Sequence, residues 1–288
     1  MGPFRKPKRS DHDGGAAQAS DTTDELARIA AEVEFWDESR PTTGAVDTVP
    51  RSERGRRMAS LAGRLSASLS KGGRAVGTGA RGGAQYVADR LMEAAPRIPV
   101  RDLATLRAQH PDALRAEDLA DRVAAGAVKA SAAVGAGAGA AAMLPVPPAM
   151  PVEMASELLA VSAVELKLVA ELYEIYGQPA PGNARQRSYA YLMAWSERRG
   201  MDLTNPATFL ALSKGAALRK QLRRSMTRAG LKKLPTLTPL LIGAFVGARI
   251  NRRDTERLAR TVRADLRSRP PIDPGYWESA APSAPRGR

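Results

Sequence analysis

The chain has 288 residues, of which 43% are hydrophobic but only 5% aromatic, and it carries a formal net charge of +14. That length admits one large domain or two small ones with a buried core, and a core poor in aromatics but rich in Ala, Leu and Val suits closely packed helices better than sheets. Cysteine is absent, which excludes disulfides, thiol nucleophiles and Cys-ligated metal sites.

Residues 1–50 hold 6 basic against 10 acidic residues. Residues 51–101 hold 11 against 3, residues 214–233 hold 8 against none, and residues 249–269 hold 8 against 3. Such stretches attract anionic partners, phospholipid head groups or nucleic acid. The N-terminus has basic residues without an apolar core segment, so it does not read as a secretory signal, and Lys6 breaks the myristoylation pattern. A cytoplasmic location, at the inner face of the cell membrane, is the expectation.

In chain order, residues 1–22 are polar and aperiodic and read as a disordered tail. A short helix is predicted over residues 24–35, with Leu26, Ile29, Ala30 and Val33 on one face. A linker follows, so residues 1–50 are expected to be mostly disordered and the helical domain to occupy 51–268. From Ser52 to Met92 the apolar positions Met58, Leu61, Leu65 and Leu69 recur at spacings of three and four, with arginines opposite. The glycines of KGGRAVGTGARGG predict a break in that helix. A short helix over 100–109 ends at His110-Pro111, and a longer one over 116–143 becomes almost wholly Ala, Gly and Val.

Beyond LPVPPAMP, the clearest helix spans 152–176. On a wheel of about 100° per residue, Glu153, Glu157, Glu165, Lys167, Glu171 and Glu174 share one half, and leucines and valines fill much of the rest. Gly177 reads as its C-cap. Helices are also predicted over 185–199, 206–229 and 238–267, with Asn205-Pro206 as a good helix start. Residues 269–288, punctuated by prolines, read as a second disordered tail. The expected fold class is all-α, a multi-helix domain with glycine-rich close helix crossings at Gly135, Gly137, Gly139, Gly243 and Gly247.

Three segments together resemble the EcsC family of bacterial proteins. They are VGAGAGAAAMLPVPP (134–148), the helix end ELKLVAELYEIYG with Tyr173, Tyr176 and Gly177, and LPTLTPLLIGAFVGARIN (234–251) with Gly243, Gly247 and Asn251. The similarity covers roughly residues 90–268. It implies a helical fold and membrane association, and no reaction.

Catalytic signals are sparse. Gly77, Gly79 and Gly82, and likewise Gly135, Gly137 and Ala140, match dinucleotide-type glycine patterns, but neither run follows a strand. The histidines are His12 and His110, which offer no pair for a metal or triad. Ser68 and Lys71 form an isolated S-x-x-K. The carboxylate pairs Glu153/Glu157 and Glu171/Glu174 lie on a polar helix face, where solvation or pairing with arginines is expected. No catalytic, cofactor or metal residues are assigned.

Residues 130–152 form an uncharged run of 23, but Pro145, Pro147, Pro148 and Pro151 interrupt it, which argues against a spanning helix. The basic stretch containing Lys214, Arg219, Lys220, Arg223, Arg224, Arg228, Lys232 and Lys233 interleaves with leucines and suits a helix lying on an anionic membrane. The expected function is that of a non-enzymatic accessory or binding protein, peripherally attached to an anionic membrane surface, with room for a protein partner. A nucleic-acid-associated protein ranks second, for want of a helix-turn-helix, zinc or stacking signature, and an enzyme of unrecognised type third.

Overall fold

A computed structural model describes residues 11–37, 51–71, 79–141, 150–201 and 237–280. The fold is all-α, with no strand among the described residues. In order the helices are α1 (Asp11–Glu32), α2 (Glu34–Asp37), α3 (Arg51–Lys71), α4 (Gly79–Ala94), α5 (Leu103–Gln109), α6 (Ala116–Ala141), α7 (Met150–Ile175), α8 (Ala184–Arg198), α9 (Leu237–Arg267) and α10 (Tyr276–Ser279). A 3-10 turn, Ala95–Arg97, follows α4. No described helix is long and apolar enough to cross a membrane.

The architecture is built around α7. Helices α1, α3, α4, α5, α6, α8 and α9 all pack against it. Its apolar residues, among them Leu159, Val164, Leu168, Val169 and Leu172, are wholly or almost wholly buried. Much of the polar half seen on the helical wheel is buried as well: Glu165, Lys167 and Glu171 are at most 1% exposed, Glu157 is buried and Glu174 partly so. A solvated polar face, one of the two expectations for these carboxylates, is therefore overturned. The reason lies in the neighbours, because helices on every side close over α7 and carry the counter-charges with them.

The other elements follow their sequence patterns. In α3, Met58, Leu61, Leu65 and Leu69 face the core, while Arg56, Arg57 and Arg64 are exposed. Asp102 caps α5 by accepting a bond from the Thr105 amide at 2.8 Å. Asn183 caps α8 in a reciprocal capping box with Gln186. Gly177, at φ +65, closes α7, with the Gln178 amide bonded to the Tyr173 carbonyl at 2.9 Å and the Gly177 amide to the Glu174 carbonyl at 3.1 Å. This double bond pattern is a Schellman cap, which favours glycine at the left-handed position.

Part of each segment expected to be a tail is structured, residues 11–22 and 269–280. Helix α1 begins at Asp11 rather than near residue 24, and Leu26, Ile29, Ala30 and Val33 enter the same core as α3, α4 and α7. At the other end, residues 269–280 dock onto the end of α7. The Ile272 amide donates to the Gly177 carbonyl at 2.9 Å, and the Tyr276 ring lies against Gly177. Arg107 stacks on the Trp277 ring at 4.4 Å and donates to the Trp277 carbonyl. Proline punctuation correctly argues against a long helix there, but it says nothing of docking through side chains.

Candidate functional site

Charged side chains on α7 form two buried clusters, a third cluster lies partly exposed beyond its C-terminal end, and each fastens different neighbouring elements. The first centres on Arg101, in the extended segment between the 3-10 turn and α5. Its Nε and Nη2 donate to the two oxygens of Glu171, each at 2.8 Å, in a bidentate fork. The same Nη2 donates to Asp37 Oδ2 at 2.6 Å, and Nη1 donates to Gln109 Oε1 at 2.7 Å. One guanidinium thus holds α2, α5 and α7 together. Burial works against its charge, but the bonds and attraction of Glu171 and Asp37 outweigh it and push its pKa above the usual arginine range.

Lys167 completes this cluster. Its Nζ donates to Glu34 Oε1 at 2.8 Å and to the Pro99 carbonyl at 2.7 Å, and it forms an ion pair with Glu171 Oε1 at 2.8 Å. The His110 ring is buried beside it, with Nε2 3.8 Å from Asp37 Oδ2. Gly126 of α6 makes room for Asp37. A Cβ built at Gly126 would collide with the Asp37 Cβ and stand 2.8 Å from its Cα.

The second cluster centres on Glu165. It accepts bonds from Trp195 Nε1 at 3.0 Å, Arg199 Nε at 2.8 Å and Thr255 Oγ1 at 2.8 Å, and Arg199 Nη2 adds a further contact. These ties join α8 and α9 to α7. About two helical turns towards the α7 N-terminus, Glu157 Oε1 accepts from Asn251 Nδ2 at 3.1 Å. Asn251, singled out through the family resemblance, therefore bonds to the central helix.

A third cluster closes the far end of α7. Tyr176 and Arg263 donate to opposite oxygens of Glu117, each at 2.8 Å, and Arg263 Nη1 also donates to Asp121 Oδ1 at 2.5 Å. Burial raises the Glu117 carboxyl, but the bonds from Arg263 and Tyr176, with Arg267 at 3.0 Å, hold it below the usual carboxylate range. Glu174 behaves oppositely. Burial raises it, and this outweighs the Tyr191 hydroxyl at 3.0 Å and the nearby Arg187.

Chemically, the first two clusters are matched sets of acids and cations bonded to one another inside the protein, whereas in the third Glu117 is 40% and Asp121 67% exposed. Removing one member strands a buried charge, so the sets favour one mutual arrangement of helices over others.

Of the expected crossing glycines, Gly135 of α6 and Gly247 of α9 stand at a point of near backbone contact. A Cβ on either would collide with the carbonyl oxygen of the other, and one on Gly247 would also stand 3.3 Å from the Gly139 Cα. Gly137 differs, because its open side faces Ala59 of α3 at an ordinary 3.9 Å. Gly243 lies within α9, but its surroundings fall outside the described residues. So do the basic residues Lys214, Arg219, Lys220, Arg223, Arg224, Arg228, Lys232 and Lys233, together with the helix predicted over 206–229. The glycine pattern at Gly135 and Gly137 runs mid-helix, which removes the free amides a phosphate loop needs. Ser68 is spent on the Leu65 carbonyl at 2.9 Å and on Thr22.

Asp37, Arg101, Glu165, Lys167, Trp195 and Arg199 were not singled out as a site by the sequence. The visible signal was the count of charges on a helix otherwise made of Leu, Val and Ala. Which residues would answer those charges depends on pairings 30 to 133 positions away. Comparison with family models, with curated proteins and with solved structures finds no match to this chain.

Proposed function

We propose that this chain is a non-enzymatic, EcsC-like helical protein that attaches peripherally to anionic membrane surfaces through its basic helices and acts there as an accessory or binding protein. The observation that carries this reading is the separation of charge by depth. Glu165 and Glu171 of α7 are buried and answered by Arg101, Arg199 and Lys167, whereas arginines of α3 and α9 stand at the surface. A surface of that kind attracts head-group phosphates, at about 1 kcal/mol for each basic residue near an anionic leaflet.

Flotation of the full chain with neutral and anionic vesicles tests the proposal. Capture by anionic vesicles at about 0.15 M salt and release at about 1 M, where the Debye length falls to about 3 Å, is the expected outcome. No preference for anionic lipid, together with tight duplex DNA binding at the same ionic strength, overturns it in favour of a nucleic-acid partner.

A further inference from the structure

Helix α9 has two faces. Gly247, Asn251, Thr255, Leu258, Val262 and Leu266 are buried against α6 and α7. On the opposite side Phe245 is 66% exposed, the most exposed aromatic among the described residues. Between residues 249 and 260 the helix carries five arginines against one aspartate and one glutamate. Each acid is already taken: Glu256 pairs with Arg252 at 2.8 Å and Asp254 with Arg257 at 3.8 Å. Arg249, Arg253 and Arg260 are exposed and enter none of the ion pairs among the described residues.

Their spacing aligns them. At about 100° per residue the three fall within about 40° of one another, and Phe245 lies about 40° from Arg249 on the same side. The stripe of arginines is about 16 Å long at 1.5 Å per residue, with the aromatic one turn beyond its N-terminal end. We infer that this face of α9 is a membrane-docking edge, on which Arg249, Arg253 and Arg260 bind the phosphates of anionic lipids while Phe245 enters the acyl boundary. The inference rests on the membrane reading above and assigns its contact surface. An exposed apolar ring in line with unanswered cations matches an interface whose outer layer is anionic and whose inner layer is apolar. A polyanion such as DNA would answer the arginines and leave the ring without an apolar phase to enter.

The absence of cysteine makes the test clean, because one introduced thiol gives a single labelling site. In the full chain, F245C carrying an environment-sensitive fluorophore is titrated with phosphatidylcholine vesicles with and without phosphatidylglycerol. M193C, on exposed α8, serves as a comparison site. The expected result is a blue shift at position 245 on anionic vesicles alone and none at 193. The unlabelled R249Q/R253Q/R260Q variant is expected to bind these vesicles roughly a hundredfold more weakly, since each arginine near the surface is worth about fivefold. Parent-like binding by that variant, with the label at 245 still in water, overturns the inference and leaves the membrane reading to the other basic stretches. Failure of the parent chain to bind anionic vesicles overturns both. Duplex DNA binding that is lost in the triple variant, without vesicle binding, reassigns the stripe to nucleic acid and also overturns it.

Discussion

Arg101 is the residue that ties the first buried cluster together, because its guanidinium bridges Asp37 and Glu171. Arg101→Met would leave two carboxylates in the core around a single ammonium, and losses of about 3 to 5 kcal/mol are typical when a buried pair is broken. Arg101→Lys keeps the charge but loses the fork to Glu171 and is expected to fall between parent and Arg101→Met. Urea midpoints of the three proteins check this. Equal midpoints would mean that water reaches the site and replaces the guanidinium. Lys167 invites a different expectation. Lys167→Met leaves Glu171 its fork to Arg101, and the Glu34 side chain, 29% exposed, can turn to solvent, so a smaller loss than for Arg101→Met is expected.

At the scale of elements, small residues decide how closely helices approach. Gly247→Ala sets a methyl group against the Gly135 carbonyl, so α6 and α9 must separate, and a loss of about 1 to 3 kcal/mol is expected from overpacking. Gly135→Ala should behave alike, with Asn251 Nδ2 an added obstacle at 2.6 Å from the new Cβ. Gly63→Ala in α3 is the contrast. Nothing stands within 4 Å of its Cβ, so the substitution is expected to stabilise by up to about 1 kcal/mol through helix propensity alone. Thermal unfolding of the three variants separates the cases, and a uniform gain in all of them would show that α6 and α9 have room to spare. Gly126 couples this scale to the last, because the space it leaves is what lets α2 deliver Asp37 to Arg101.

For the whole molecule, the ion cluster at the end of α7 and the carboxylate cap of α5 tie stability to acid. Glu117 sits below its ordinary value of 4.5, and Asp102, bonded by Thr105, below 3.8. A carboxyl that is more acidic folded than unfolded adds stability above its unfolded pKa and loses it as pH falls through the folded one. Stability is therefore expected to hold near neutrality and decline below 4.5 for Glu117 and below 3.8 for Asp102. Glu117→Gln should start lower, since it loosens Arg263 and Tyr176, and then decline less between about pH 5 and pH 3. Melting temperatures across that range test this. A variant that declines as steeply as the parent would place the acid sensitivity elsewhere.

By itself the sequence determined that the chain is helical and where most of its helices lie. Local periodicity and caps are properties of consecutive residues, so Met58 to Leu69, Asp102 and Gly177 could be read without any tertiary knowledge. It also pointed to Gly135 and Gly247 as residues of close approach, because a missing side chain is visible in one dimension. Only the tertiary structure decided that the charged half of α7 is interior. Burial depends on what surrounds a helix on every side, and the partners Asp37, Arg101, Arg199 and Thr255 arrive from four separate parts of the chain. The same holds for the two ends. Whether a polar or proline-rich segment packs is set by the surface it meets, here the hydrophobic faces of α3, α4 and α7 for α1, and the glycine at the end of α7 for Tyr276.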